Sequence, residues 1–187
     1  MLTSDTAKFP LARQLRSSEG ACLGDVFAFL SSLYFRGKLA YSRRFARVPT
    51  GRAGVLVITP GFGLVPEEQR IRVEHMRAFA SVDVHHANER YVAPLIRDAR
   101  TLAAYNGEDT RFVLLGSIAS AKYLPALLSE LDSRLFFPAD FVGRGDMSRG
   151  GLLLRCTSEG RELEYVPVAG ATLHGKRPPR LARLPRG

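Results

Sequence analysis

Tryptophan is absent from this 187-residue chain, cysteine occurs only twice, and no apolar run approaches the roughly 20 residues needed to cross a bilayer. The missing tryptophan excludes little. The shortage of cysteine excludes a disulfide-built scaffold: Cys22 and Cys156 lie far apart, neither belongs to a CxxC pair, and two free thiols are the simplest reading. The opening MLTSDTAKFPLARQLRSSEGACLG has neither a continuous apolar stretch nor a small-residue cleavage pattern, so no secretory leader is expected. The cytoplasm is the expected compartment, and no membrane association is expected.

Several motifs of established chemistry are also missing. There is no GxxxxGK[ST] phosphate loop and no GxSxG nucleophile elbow. His75, His85 and His86, with Asp83, form the only histidine cluster, and their spacing matches no zinc motif. Neither cysteine has a neighbouring histidine, which leaves covalent catalysis by a thiolate without support. No metal or cofactor is expected.

Acidic side chains are missing from one long stretch. Residues 26–66 contain none, yet they hold Arg36, Lys38, Arg43, Arg44, Arg47 and Arg52. The end of the chain, from Gly175, adds Lys176, Arg177, Arg180, Arg183 and Arg186, again without an acid. These two blocks contain the whole of the formal net charge of +9, and the remainder is slightly acidic. Concentrated positive charge favours an anionic partner, either nucleic acid or a nucleotide. Tyr34 and Tyr41 interleave with Arg36 and Lys38, which suits nucleic acid. It also suits amphipathic side chains lying over a core helix. A protein partner bound through the basic helix and tail is the alternative.

What the chain does contain is ordinary for a globular protein: 45% apolar and 24% charged residues, enough for one domain with a real core. The expected organisation is an irregular lead-in over 1–23, a single domain over 24–170, and a basic, proline-rich tail over 171–187. Helical spacing runs from Asp25 to about Ala46, with a break or kink at Gly37, and returns over 73–80 and 89–105. Short apolar runs at 54–59, 111–115 and 134–137 read as buried strands, and a helix is expected from Gly116-Ser117 to about Leu131. Residues 151–156 and 162–166 read as the two strands of a late hairpin. This alternation predicts a three-layer α/β fold with a mainly parallel central sheet and a C-terminal antiparallel hairpin.

In such sheets ligands bind beyond the carboxyl ends of the strands. Three loops should meet there: 60–66, 116–120 and 138–150. The first offers Gly61, Phe62 and Gly63, with Phe62 either stacking on a base or packed in the core. The second offers Gly116 and Ser117 at a helix start, where backbone N–H groups point outward, with Ser120, Lys122 and Tyr123 close by. The third, within FFPADFVGRGDMSRGGLLLR, offers Arg144, Ser148 and Arg149 as an anion clamp. Asp146 is its candidate acid or base, or else it pairs with an arginine to fix the loop's own shape. The expected function is binding of a phosphate-bearing ligand, with hydrolysis or transfer at a glycosidic or phosphoryl centre as the reaction if there is one.

The segments FLSSLYFRGKLA (29–40), LVITPGFGLVP (56–66), 113–128 and 136–155 resemble a family of small bacterial proteins without an assigned activity. Their order also resembles α/β domains of the uracil-DNA-glycosylase type: an apolar strand, a glycine loop, an LLGS strand end, then a proline-led loop. Such glycosylases usually carry a water-activating acid in the first glycine loop and a histidine in the last. Residues 60–66 contain no Asp or Asn, and 138–150 contain no His. If that fold is shared, base excision by the usual mechanism is not expected, and binding without chemistry is an alternative to it.

Overall fold

The computed structural model describes residues 2–31, 33–171, 175, 178 and 179; the basic residues of the expected tail, Lys176, Arg177, Arg180, Arg183 and Arg186, lie outside them. In chain order the elements are α1 (Pro10–Arg16), β1 (Ala21–Cys22), α2 (Leu23–Leu30), α3 (Leu33–Phe45), β2 (Leu56–Thr59), β3 (Gly63–Pro66), β4 (Arg70–Ile71), α4 (Val73–Ala80), α5 (Glu89–Tyr105), β5 (Phe112–Val113), α6 (Leu124–Leu131), β6 (Leu135–Pro138), α7 (Asp146–Glu159) and β7 (Tyr165–Pro167).

The mainly parallel central sheet is not there. Helix occupies 47% of the described residues and strand only 12%, which makes the fold mixed and helix-rich. The strands form three small sheets: β1 with β4, β2 with β3, and β5-β6-β7. Among the described residues only β5 and β6 run parallel; β7 pairs antiparallel to β6. The apolar run at 56–59 does form a strand, but its partner is the segment immediately after it. Val57 faces Val65 and Ile58 faces Leu64 in a tight hairpin, so the expected loop 60–66 is largely strand.

The expected late hairpin is also overturned. Residues 151–156 belong to α7, whose buried positions Gly150, Leu152, Leu153 and Cys156 recur at helical spacing. Gly160 ends this helix in the left-handed region (φ 68°), donating to the Cys156 and Thr157 carbonyls, while the Arg161 N–H also reaches Cys156 O at 3.0 Å. Three successive leucines suggest a strand. Here they pack a helix against a neighbour, and tertiary burial outweighs local propensity.

That neighbour is α3. The expected break at Gly37 falls instead at Ser31, and Gly37 lies inside α3. At the crossing the two backbones touch. A Cβ on Gly37 would lie 2.7 Å from Gly150 O, and one on Gly150 would lie 2.8 Å from Tyr34 Cα. Two glycines thus remove the side chains that normally hold packed helices 8–10 Å apart. The approach buries Tyr34 and Tyr41 in the main core, together with Leu95 and Ala99 of α5, Leu127 of α6, Phe137 of β6 and Leu153 of α7. A second core gathers Leu15, Leu23, Val26, Val57, Ile71 and Phe79. The lead-in contributes to it through α1, whose Ala12 and Leu15 are fully buried.

The basic stretch is tied into this architecture. Arg43 grips the Glu67 carboxylate with two bonds, Nε to Oε1 at 2.8 Å and Nη2 to Oε2 at 2.7 Å, and also reaches Asp25 at 3.0 Å. Those bonds, to Glu67 first, hold the guanidinium more firmly protonated than usual. Arg47 pairs with Glu162 at 2.6 Å, and Arg52 donates to Tyr105 O and Asn106.

The helix crossing and the Arg43 pair can each be tested by stability measurements. Gly150→Ala gains helix propensity but forces backbone against backbone, so a net loss of about 1–2 kcal/mol is expected, lowering Tm by about 2–8 °C. An unchanged Tm in a thermal scan would show that α3 and α7 separate without cost. Arg43→Ala strands a carboxylate that is only 5% exposed. Because Arg43 itself is 44% exposed, the expected loss is about 2–3 kcal/mol, below the cost for a fully buried pair. Adding Glu67→Gln should recover part of it, and urea melts of the double-mutant cycle read the coupling directly.

Candidate functional site

Two of the three expected loops come together, but not at a sheet edge. The meeting point is the first turn of α7, packed over the side of α3. Gly145 is the N-cap of α7 and offers no side-chain bond, so the opening N–H groups of this 14-residue helix have no capping oxygen from it. Beneath that turn lie Tyr34 and Lys38, one helical turn apart on the same face of α3.

Tyr34 is buried and donates its hydroxyl to Leu115 O at 2.7 Å, linking α3 to the chain just before Gly116. Burial pushes its phenol well above the usual tyrosine range, partly opposed by the charge of Arg149. Lys38 Nζ sits 4.0 Å from the centroid of the Tyr34 ring, and among the described residues it has no carboxylate within ion-pair distance. Desolvation lowers its ammonium to about 8; the Asp146 charge works against that drop and Arg149 adds to it.

The Gly116-Ser117 segment closes on itself. The Ser117 N–H donates to Tyr123 Oη at 2.8 Å, and Tyr123 donates back to Ser117 O at 3.0 Å. Gly116 has no side chain because a Cβ there would lie 2.6 Å from Tyr123 Oη. The helix expected to begin at Ser117 starts at Leu124 instead, so the Ser117 N–H is not an open anion contact. Ser120 acts on Tyr123, whose phenol burial shifts upward and which lies in the fields of Arg149 and Asp146.

Arg144 and Arg149 do not form an open clamp. Arg144 donates to Asp140 O at 2.9 Å and to Ser148 Oγ at 3.3 Å. Arg149, only 13% exposed, spends Nε and Nη2 on Phe141 O, stacks over the Phe141 ring, and places Nη1 3.7 Å from Asp146. Both arginines shape their own segment while Arg149 leaves its charge beside Lys38. Asp146 is 69% exposed at the rim.

The first glycine loop stands apart. Gly61 and Gly63, with φ of 78° and 72°, make the β2–β3 turn, and Gly63 lies against the Pro94 carbonyl of α5. Asp98 accepts from the Leu64 N–H at 2.9 Å to hold it there. Phe62 rests edge-on against Phe79 of the second core, with ring centroids 5.2 Å apart. Lys122 is exposed beside a groove of about 220 Å³ between α5 and α6, lined by Val92, Ile96 and Pro125. The site is therefore Lys38, Tyr34, Ser120, Tyr123, Asp146 and Arg149 beneath an open helix start.

Lys38 and Tyr34 are legible in the sequence only as part of an aromatic and basic interleaving, and not as partners of the three loops. Their signal is an aromatic and a lysine at i and i+4 within a run otherwise made of arginine. Among the described residues no group of acids, histidines or cysteines is arranged to hold a metal. No helix of those residues is long and apolar enough to cross a membrane. The chain matches no family model, no curated protein and no solved structure.

A desolvated ammonium weakens the fold while it is charged. The unfolded chain holds that proton up to the ordinary lysine value near 10.5, whereas the folded state releases it from about 8. Stability of the wild type therefore rises with pH across that window. Lys38→Met should melt higher than wild type at pH 7, and the gap should shrink between pH 8 and 10.5. Parallel Tm profiles across that range would show that Lys38 is not desolvated.

Proposed function

We propose that this protein binds a phosphate-bearing ligand, a nucleotide or a nucleic-acid backbone, at the first turn of α7, with Lys38 as its charged contact. The observation that supports this reading is a half-buried ammonium lying on an aromatic face without an ion-pair partner among the described residues. Burying a charge is unfavourable unless an opposite charge meets it. A phosphate placed there gains the ammonium, the uncapped N–H groups and the positive end of the helix dipole together. Asp146 opposes such an anion and sets a limit on its affinity.

The alternative, an adaptor acting through the basic helix, has less support. Arg43 and Arg47 are paired with Glu67, Asp25 and Glu162, and Arg52 is held by the Tyr105 carbonyl, so half of the basic block already has partners within the fold.

Calorimetric titration with nucleotides, pyrophosphate and short oligonucleotides tests the reading. Lys38→Met should weaken binding about 10–100-fold, the value of one charge-assisted contact. Asp146→Asn should tighten it several-fold, and Lys122→Met should leave it unchanged. Affinity should fall as pH rises past about 8, where Lys38 loses its proton. Equal binding by wild type and Lys38→Met would refute the site.

A further inference from the structure

The groove between α5 and α6 is polar at one end only. Its walls are apolar: Val92 and Ile96 stand one turn apart on α5, and Pro125 and the buried Ala126 line it from α6. One helical turn gives about 6 Å of apolar wall along each helix. One turn beyond Ile96 and Ala126 the helices are clamped together. There Arg100 donates Nε and Nη2 to the two Glu130 oxygens, each at 3.0 Å, and bounds the groove.

The two helices run in the same direction, so the segments entering them meet at the other end and bring His86 and Lys122 together in the lining. Lys122 has no ion pair among the described residues, and none of the described lining residues is acidic. His86 is held in place by its own loop. Its ring stacks on that of His85 with centroids 4.2 Å apart, and His85 Nδ1 accepts the Ala87 N–H at 3.2 Å. Asn88 ties the same loop by donating Nδ2 to Asp83 O at 2.7 Å. An imidazole offers an N–H donor in either tautomer. Ser129, also in the lining, already donates its hydroxyl to Ala126 O at 3.0 Å.

We propose that this groove binds a small free carboxylic acid with an apolar body. The carboxylate meets the Lys122 ammonium and the His86 N–H, and the body lies along Val92, Ile96 and Pro125. Polarity at one end alone fixes the orientation. One ammonium answers a monoanion, and a carboxylate accepts from both donors at once. The volume of about 220 Å³ lies below the range of about 300–1,000 Å³ that drug-sized ligands need, so a single ring or a short branched chain fills it. Burying that apolar body supplies the driving force, and the charge selects the acid. The groove shares no residue with the site at α7, and its occupancy is independent of that reading.

The test uses the full wild-type chain with phenylacetate as the probe, phenylacetamide as its uncharged counterpart and phenethylamine as its cationic one. Methyl resonances of Val92 and Ile96 are followed by NMR during each titration, with Val57 of the second core as a remote reference. Phenylacetate should move Val92 and Ile96 but not Val57, with a Kd of about 1 mM, and bind about tenfold more tightly than the amide. Phenethylamine should bind most weakly. Lys122→Met, a change at an exposed side chain, should bring acid and amide to equal affinity. Equal binding of acid and amide by the wild type overturns the acid as the ligand class. Binding that leaves Val92 and Ile96 unmoved, or no binding up to about 10 mM, overturns the groove as the site. These results are read on unaltered protein, and none of them bears on nucleotide binding at α7.

Discussion

Everything placed at the candidate site depends on two helices touching backbone to backbone. Gly37 and Gly150 leave no side chain between α3 and α7, so the first turn of α7 comes down directly over Tyr34 and Lys38. Side chains at that crossing would force the helices apart and open the site to water. Lys38 would then be an ordinary exposed lysine, and Tyr34 would lose the seat from which it reaches Leu115 O. The contact that stabilises the main core is thus also the one that desolvates the amine. Packing and chemistry share a single constraint.

A second constraint governs the charge. A basic stretch without acids suggests a surface for nucleic acid, but local sequence does not show where the compensating acids lie. Glu67, Asp25 and Glu162 come from other segments and meet Arg43 and Arg47 in space. Glu162 goes further. Its charge acts on Tyr165, whose hydroxyl meets that of Tyr41 at 2.7 Å, and Tyr41 accepts the Leu163 N–H at 2.7 Å. This chain fixes the middle of α3 to the segment entering β7. Much of what reads as a binding charge is the fold's own polar framework.

Periodicity reveals the elements whose burial follows one face. α4 and α5 are found over the expected residues because a long amphipathic pattern needs no partner to be visible. The parallel pairing of β5 and β6 also matches the strands expected at 111–115 and 134–137. The failures occur where a tertiary partner decides. Gly150-Gly151 followed by three leucines has poor helix propensity, and only the fit against α3 makes it a helix. Gly37 reads as a break for the same reason. The expected sheet fails because LVIT at 56–59 finds its partner just downstream, through a glycine turn, rather than across a helix. At the site, Ser117, Ser120, Tyr123, Asp146 and Arg149 are legible as polar residues near glycine. Their grouping with Lys38 is not, since it requires the helix that the local pattern hides.

The arrangement also separates residues that shape the site from the one that is free to act. Arg144, Arg149, Ser117 and Tyr123 spend their donors on Asp140 O, Phe141 O and one another, so their polar chemistry is consumed in holding the segment. Asp146 is committed loosely, at 3.7 Å, and stands in water. Lys38 alone in the cluster combines desolvation with the lack of an ion-pair partner among the described residues. An optimised fold would place methionine there, as the stem packs equally well without the charge. Keeping an ammonium in that seat lowers stability at neutral pH, and a positive field from Arg149 beside it lowers stability further. This corner holds Lys38 over the Tyr34 ring and Arg149 over the Phe141 ring beneath an uncapped helix, two positive charges against the one exposed carboxylate of Asp146. That unmet electrostatic demand, more than any motif, is the physical basis for reading this corner of the fold as functional.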